Sequence, residues 1–294
     1  MNTRKTEKVV NNHLFNKNIL ATAVAAVMFG STGAALAVTN INDAQEVDGD
    51  LAIDYNIDNA GTLTITGGTS TTSYLSSFNG TIDGGLQPNE GNVVIAGNLT
   101  MRGNIGSTNT TGNFTLNDGN TLVLQDSMTK FNTANITLSS NSILNFGNAT
   151  SGYNRDTALT MNANITMAGN STINIGNNTT LTGDVVGASS GQGTVNIIGN
   201  FTSGGNFGDN VVDAEAMTLE QINISKGNTF TLSAGHNASS TRMNINGTVT
   251  AQGSANITSA VTMGSGSVLN LTNTGTGGGS TAAEVAGAID GYAG

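Results

Sequence analysis

The 294-residue chain has no cysteine and no tryptophan, a single proline (Pro88), 4% aromatic residues and 10% charged residues, of which nine are basic. Without cysteine there is no disulfide framework, no thiolate metal site and no cysteine nucleophile. Ordinary helical domains carry roughly a quarter charged residues and are rich in Leu, Ala, Glu and Lys. Here Gly (40), Asn (42) and Thr (43) lead instead, all poor helix formers, so a helical fold is excluded. Nine basic residues against nineteen acids give a net charge of −10. Neutralising phosphates takes clustered Lys and Arg, and Arg102, Lys130, Arg155, Lys226 and Arg242 lie far apart in sequence. Nucleic acid is therefore not an expected partner. No basic amphipathic stretch is present either, which argues against an anionic membrane surface. The acidic excess reads as a solubility device that makes like molecules repel. The near absence of proline and of charge also separates the chain from disordered sequences, which are rich in both.

Apart from one segment, long apolar runs are missing too. Residues 1–18 carry Arg4, Lys5, Lys8 and Lys17, and Ile19 to Phe29 then runs without charge into small residues ending Ala35-Leu36-Ala37. The run is too short for a bilayer, which needs about 20 apolar residues. A basic start, an apolar middle and an A-x-A site in that order are the parts of a secretory signal. Residues 1–37 are expected to be removed and the remainder exported.

Downstream the chain repeats. The segment from Asn135 to Asn148 overlays that from Asn164 to Asn177 without gaps, with eight of fourteen positions identical at an offset of 29. The same apolar pattern recurs at Phe114-Thr115-Leu116 with Leu122-Val123-Leu124, and at Val195-Asn196-Ile197, Ile222-Asn223-Ile224 and Val261-Thr262-Met263, the last followed by Val268 to Leu271. Each unit alternates apolar and polar residues, the period of a strand, and Thr suits a pleated, half-buried surface. Gly-Asn pairs such as Gly97-Asn98, Gly103-Asn104, Gly169-Asn170, Gly199-Asn200 and Gly227-Asn228 punctuate the strands. Both residue types tolerate positive φ, so sharp turns are expected there. A sandwich or antiparallel barrel does not demand near-identical neighbours. A parallel β-helix does, because each coil stacks on the last at about 4.8 Å, like on like, with Asn and Thr ladders expected at the turns. The fold expected is all-β, a parallel β-helix of nine to eleven rungs, each about 22 to 29 residues. No single rung is stable alone, since about 25 ordered residues lose more entropy than one ring of side chains returns.

The expected organisation is a signal peptide at 1–37, an acidic amino-terminal cap region at 38–60, β-helix repeats at 61–274, and a Gly/Ala-rich linker or the start of a further region at 275–294. The first stretch after the signal holds Asp43, Glu46, Asp48, Asp50, Asp54 and Asp58. Asp48-Gly49-Asp50 resembles part of a calcium loop, but lacks the alternating ligands and distal Glu of an EF-hand and the repeat of calcium-binding β-rolls. It is read as a solvated cap over the first strand edges. Thr281 to Gly294 is expected to begin another rung or a short helix.

Conventional catalytic groups are scarce. His236 is the one histidine after residue 37, and no G-x-S-x-G context accompanies it; Gly264-Ser265-Gly266-Ser267 is a turn sequence. Glycoside chemistry needs only two carboxylates, and Asp209, Asp213, Glu215 and Glu220 form the remaining acidic cluster, in a stretch of weak repetition read as an excursion loop. Sugar sites commonly stack rings on Trp and Tyr, and here Trp is 0 and Tyr is 4. The expectation is a noncatalytic protein with no catalytic residues, no cofactor and no metal. The many Asn-x-Ser/Thr triplets follow from composition alone.

The export-type amino terminus with its long polar start, followed by Asn/Gly/Thr-rich strands such as Asn164-Ile165-Thr166-Met167 and Ile173-Asn174-Ile175-Gly176-Asn177, resembles the passenger domains of bacterial autotransporter surface proteins. The likeness covers about residues 38–275. It implies a right-handed parallel β-helix displayed outside the outer membrane of a Gram-negative bacterium, as an adhesin, antigen or stalk, with host-cell surface, matrix or glycan as partners. It also implies a carboxy-terminal membrane β-barrel, which would show as alternating strands of about ten residues. Nothing after Gly275 supplies one, so the expectation is either the front portion of a longer protein or release or attachment by another route. The alternative function is a secreted β-helical polysaccharide lyase or hydrolase. Intact-mass measurement of the exported protein is expected to show a chain beginning at Val38, and Ala37→Arg is expected to leave residues 1–37 attached.

Overall fold

The computed structural model describes residues 38–41, 43–48, 53–58, 61–67, 76–147, 155–209, 217–272 and 282–291. The expected signal peptide lies outside them. Among the described residues there are strands, turns and bends but no helix.

The strands pair in parallel with partners one rung away, in long sheets whose neighbours are never consecutive in sequence. This is a β-helix. The registers resolve into three faces, visited once per rung. Face one stacks Leu99, Leu122, Leu144, Ile173, Val195, Ile222, Met243, Val261 and Ile289. Face two stacks Tyr55, Ile82, Ile105, Phe131, Met161 and Leu181. Face three stacks Leu63, Val93, Phe114, Ile136, Ile165, Val185, Phe207, Ala238, Ile257 and Val285. Long strands such as Lys130–Leu138 and Asn237–Ile245 turn a corner without a break, and the register slips at the bend, between Asn132 and Asn135 and between Ser239 and Arg242.

The gapless overlay at offset 29 is the register itself: Asn135 pairs with Asn164, Ile136 with Ile165, Leu138 with Met167 and Phe146 with Ile175. The third face is what the sequence pattern did not separate. Val261–Met263 belongs to face one and the succeeding Val268–Thr272 to face two, so these are not two halves of one repeat. Apolar residues of all three faces meet in one axial core, with Ile57, Leu63, Val93, Ile136, Ile173 and Ile222 fully buried. Aromatic rings fill it where rungs carry larger side chains. Phe201 stacks on Phe230 with centroids 6.0 Å apart at 12°, and Phe207 meets Phe230 edge-on at 5.6 Å, arrangements that add to burial itself.

Rungs extend past both expected boundaries. Val38–Ile41 pairs with Asp54–Ile57 and Ala44–Asp48 with Thr62–Thr66, so the described strands of the acidic segment are themselves rungs. At the other end Glu284–Ala286 and Ile289–Gly291 pair with Asn256–Met263, which makes this segment a rung and not a helix.

The Gly-Asn pairs work differently from expectation at most positions. Gly169 and Gly227 do adopt positive φ, 50° and 80°. At Gly97, Gly103 and Gly199 the requirement is space: a Cβ would lie 2.1 Å from Gly67 N, 1.7 Å from Gly80 O and 2.2 Å from Asn177 N. Glycine lets adjacent rungs touch backbone to backbone. The asparagine that follows grips the next rung: Asn98 Oδ1 accepts from Thr121 N at 2.8 Å, Asn104 Oδ1 from Thr129 N at 2.8 Å and Lys130 N at 3.0 Å, and Asn200 Oδ1 from Thr229 N at 2.9 Å.

The longest asparagine ladder is not at a turn but in mid-strand on face one. Asn174 Nδ2 donates to Asn145 Oδ1 at 2.7 Å, Asn196 to Asn174 at 2.7 Å, Asn223 to Asn196 at 2.8 Å and Asn244 to Asn223 at 2.8 Å. All four bonds run in the same sense, so the amide dipoles add and strengthen one another. Asn196→Asp removes the donor to Asn174 and sets two oxygens against each other at neutral pH. This variant is expected to lose about 1–3 kcal/mol, read as a lower urea midpoint at unchanged slope. Protonation restores a donor, so the folded-state pKa of the new carboxyl is raised, and the deficit should be small in acid and grow as pH rises through that pKa.

Candidate functional site

Among the described residues, those singled out for chemistry are not assembled into a catalytic group. Asp213 and Glu215 lie outside the described residues, as do Gly49 and Asp50 of the calcium-like triplet. Glu220 opens onto face one and is engaged by a cation: Arg242 Nη2 donates to Glu220 Oε1 at 3.2 Å and to Gln221 Oε1 at 3.4 Å. Gln221 in turn donates from Nε2 to Asn223 Oδ1 at 2.5 Å. Glu220 is thus tied through Arg242 and Gln221 to the asparagine ladder, on the rung where Gln221 pairs with Arg242. The pair is exposed, 56% and 37% at the two side chains, and such pairs contribute little to stability. Asp209 is held by its backbone, its N–H donating to Met217 O at 3.2 Å.

His236 sits at the turn between Thr229–Leu232 and Asn237–Ile245, where its N–H donates to Ser233 O at 3.1 Å and its carbonyl accepts from Asn256 N at 3.2 Å. Its Nδ1 is buried with no hydrogen-bond partner. The neighbouring Ser233 hydroxyl donates to Ser203 O at 2.8 Å and so does not face the imidazole as a nucleophile would. Gly264-Ser265-Gly266-Ser267 is a turn, closed by Ser267 N and Oγ on Gly264 O at 3.1 and 2.7 Å with Gly266 at φ 72°.

Toward the amino-terminal rungs, Asn40, Asn56, Asp58, Asp83, Thr108 and Asn109 line an oxygen-rich concavity of about 420 Å³. Of its two acids, Asp83 serves the backbone, its Oδ1 accepting from Thr108 N at 3.0 Å, and nearby Glu90 Oε2 accepts from Gln87 N at 3.1 Å. Among the described residues no three His, Asp or Glu side chains are grouped as a metal site would group them.

Two features escaped the sequence reading. One is Arg155, buried to 2% exposure beneath face one and face two. Its Nη1 donates to Leu124 O at 2.6 Å, Nη2 donates to Met128 O, and Nε to Thr157 O at 3.3 Å. Burial pushes the guanidinium pKa below its usual value, and the carboxylate of Asp126 partly offsets this. The fork holds Met128 O and adds a second donor to Leu124 O, which also accepts from Gly147 N at 3.0 Å. No local pattern marks it, because its partners are backbone groups 31 and 27 residues away.

The other is a second concavity, of about 610 Å³, lined by Asn196, Asn223, Asn244, Asn246, Thr262, Gly264 and Ser265. Its signal was in the sequence as the recurring triplets Val195-Asn196-Ile197, Ile222-Asn223-Ile224 and Met243-Asn244-Ile245. Alternation turns the flanking aliphatics inward and the amides outward.

Comparison with known proteins gives no match to a protein family, a curated protein or a solved structure.

Arg155→Ala leaves the Met128 carbonyl without its donor, strips Leu124 O of one of its two donors and removes the cation near Asp126. It is expected to cost about 3–5 kcal/mol, measured as a fall in the chemical-denaturation midpoint, whereas Glu220→Gln should shift that midpoint by less than about 1 kcal/mol.

Proposed function

We propose that this chain is an exported, noncatalytic β-helix that acts at or outside a bacterial surface as an adhesin, antigen or structural stalk. The observation that carries this reading is the parallel solenoid, whose outer faces are rows of in-register, uncharged amides and hydroxyls. On face one the row is Asn145, Asn174, Asn196, Asn223 and Asn244, of which the first two are buried and the last three reach solvent. On face two it is Thr160, Thr180, Thr202, Thr231 and Thr250. Repetition of one chemistry at each rung suits contact over a long surface, where many weak bonds act together.

Export is supported by the order of charge, apolar run and small residues in positions 1–37. The noncatalytic reading is supported by the engagement of Glu220 with Arg242 and of Ser233 with Ser203, which leaves neither placed as an acid/base or nucleophilic pair.

Full-length protein, exported from a Gram-negative host, is expected to appear outside the inner membrane and to increase attachment of cells or of coated beads to host-cell layers or matrix. Failure to attach to any surface would leave the stalk alone. Glycan cleavage by the purified protein that Glu220→Gln abolishes would replace this reading with a polysaccharide-active enzyme.

A further inference from the structure

We infer that the groove on face one between Asn196 and Ser265 binds a linear, uncharged polysaccharide laid along the solenoid axis. The inference rests on the adhesive reading above and names the ligand class.

The groove follows the asparagine ladder at its carboxy-terminal end. Each ladder amide has two N–H donors and an oxygen with two lone pairs. The ladder uses one donor and one lone pair at each internal rung, leaving one of each for a ligand, except at Asn223, whose second lone pair is taken by Gln221. Because every bond has the same sense, the ladder ends in Asn244 Oδ1, an acceptor with no donor above it. The next position in register is Thr262, exposed and carrying a hydroxyl in place of the amide. Asn246 stands beside it, its Oδ1 2.3 Å from where a Cβ on Gly264 would lie, so this corner has been kept free of a side chain to seat the amide. Ser265 closes the far wall. Paired donors and acceptors repeated at about 4.8 Å match vicinal hydroxyls that also alternate as donor and acceptor along a polymer.

Charge selects the class. No ionisable side chain lines the groove; on the same face Arg242 and Glu220 neutralise each other, and Asp290, in register with Thr262 one rung on, adds negative charge beside its end. A chain with net charge −10 has no unpaired cation here to hold sulfate, uronate or phosphate, and its field repels them. An extended peptide would need an open strand edge or apolar side-chain pockets, and the strands of face one from Thr194 to Met263 are paired on both sides. What remains is a neutral polyol. With no aromatic platform in the groove, each sugar is held by hydrogen bonds alone, so affinity for a short oligosaccharide is weak and grows with polymer length.

The test uses full-length protein in two assays: retardation in gels containing neutral linear glucans, mannans or galactans, with heparin and polygalacturonate as anionic controls, and attachment of protein-coated beads to cells. Asn246→Ala and Thr262→Val change exposed groups outside the ladder, so the fold is retained, checked by the thermal midpoint. At least one neutral polymer is expected to retard the protein, anionic polymers to fail, and each variant to weaken binding about three- to tenfold, one hydrogen bond's share. Preference for anionic polymers, binding that both variants leave unchanged, or binding only to branched glycoprotein oligosaccharides overturns the groove. Bead attachment without retardation by any neutral polymer overturns the groove and leaves the adhesive reading standing. Retardation that the variants weaken, without bead attachment, supports the groove and removes the adhesive reading. Absence of both removes both.

Discussion

Parallel stacking in strict register is the constraint on which everything else in this molecule depends. A strand in the middle of the β-helix has hydrogen-bonding partners only in the rungs before and after it, so no rung can satisfy its backbone by itself. Register then decides side-chain chemistry, because whatever occupies a position has its counterparts directly above and below. Aliphatic residues accumulate into the axial core, as from Leu63 through Phe114 and Ile165 to Ile257 on face three. Polar residues accumulate into outward rows by the same geometry. The core and the asparagine ladder are two consequences of one periodicity.

Corners are where this regularity is negotiated. A chain that must bend three times per rung leaves amide groups without a ladder partner, and the asparagines and aspartates at the bends supply acceptors for them. Asn164, Asp184 and Asn206 form a series in which each side-chain oxygen accepts the backbone N–H of the corresponding residue one rung later. Glycines at the same corners remove the Cβ that would hold the rungs apart. At the corner before Leu159, Arg155 reaches back with a forked donor to Met128 O and to Leu124 O, the second of which Gly147 N also bonds. Conspicuous polar residues thus have structural work that a list of chemical groups would not reveal.

The same logic separates the functional readings. Catalysis by carboxylates needs two acids held at a fixed separation around a reacting bond, whereas Glu220 on face one is held by Arg242. Binding to an extended surface needs repeated groups of one kind, and stacking produces those with little effort. A solenoid built from Asn and Thr therefore comes close to a recognition surface by construction, and specificity enters where the repetition is interrupted, as at Asn246, Thr262 and the Gly264 corner.

How far the sequence could be read follows from range. Alternation in Ile173-Asn174-Ile175 and the offset between Asn135 and Asn164 are local or nearly identical patterns, and they were enough to specify parallel strands, the pairing of those two rungs and the direction each side chain takes. The division into three faces was hidden, face two above all, since Ile105, Phe131 and Leu181 stand in short or uneven segments whose alignment is fixed only by neighbours above and below. The ladder's place in mid-strand, the steric use of Gly97 and Gly103, and the burial of Arg155 were hidden for the same reason. Each is a relation between rungs 22 to 31 residues apart, and the uneven spacing between them lets the chain slide in sequence while remaining aligned in space. Composition and period determined that this protein coils and what its faces are made of; only the folded stack decided which amides align, where the row ends in an unpaired acceptor, and which charges cancel beside it.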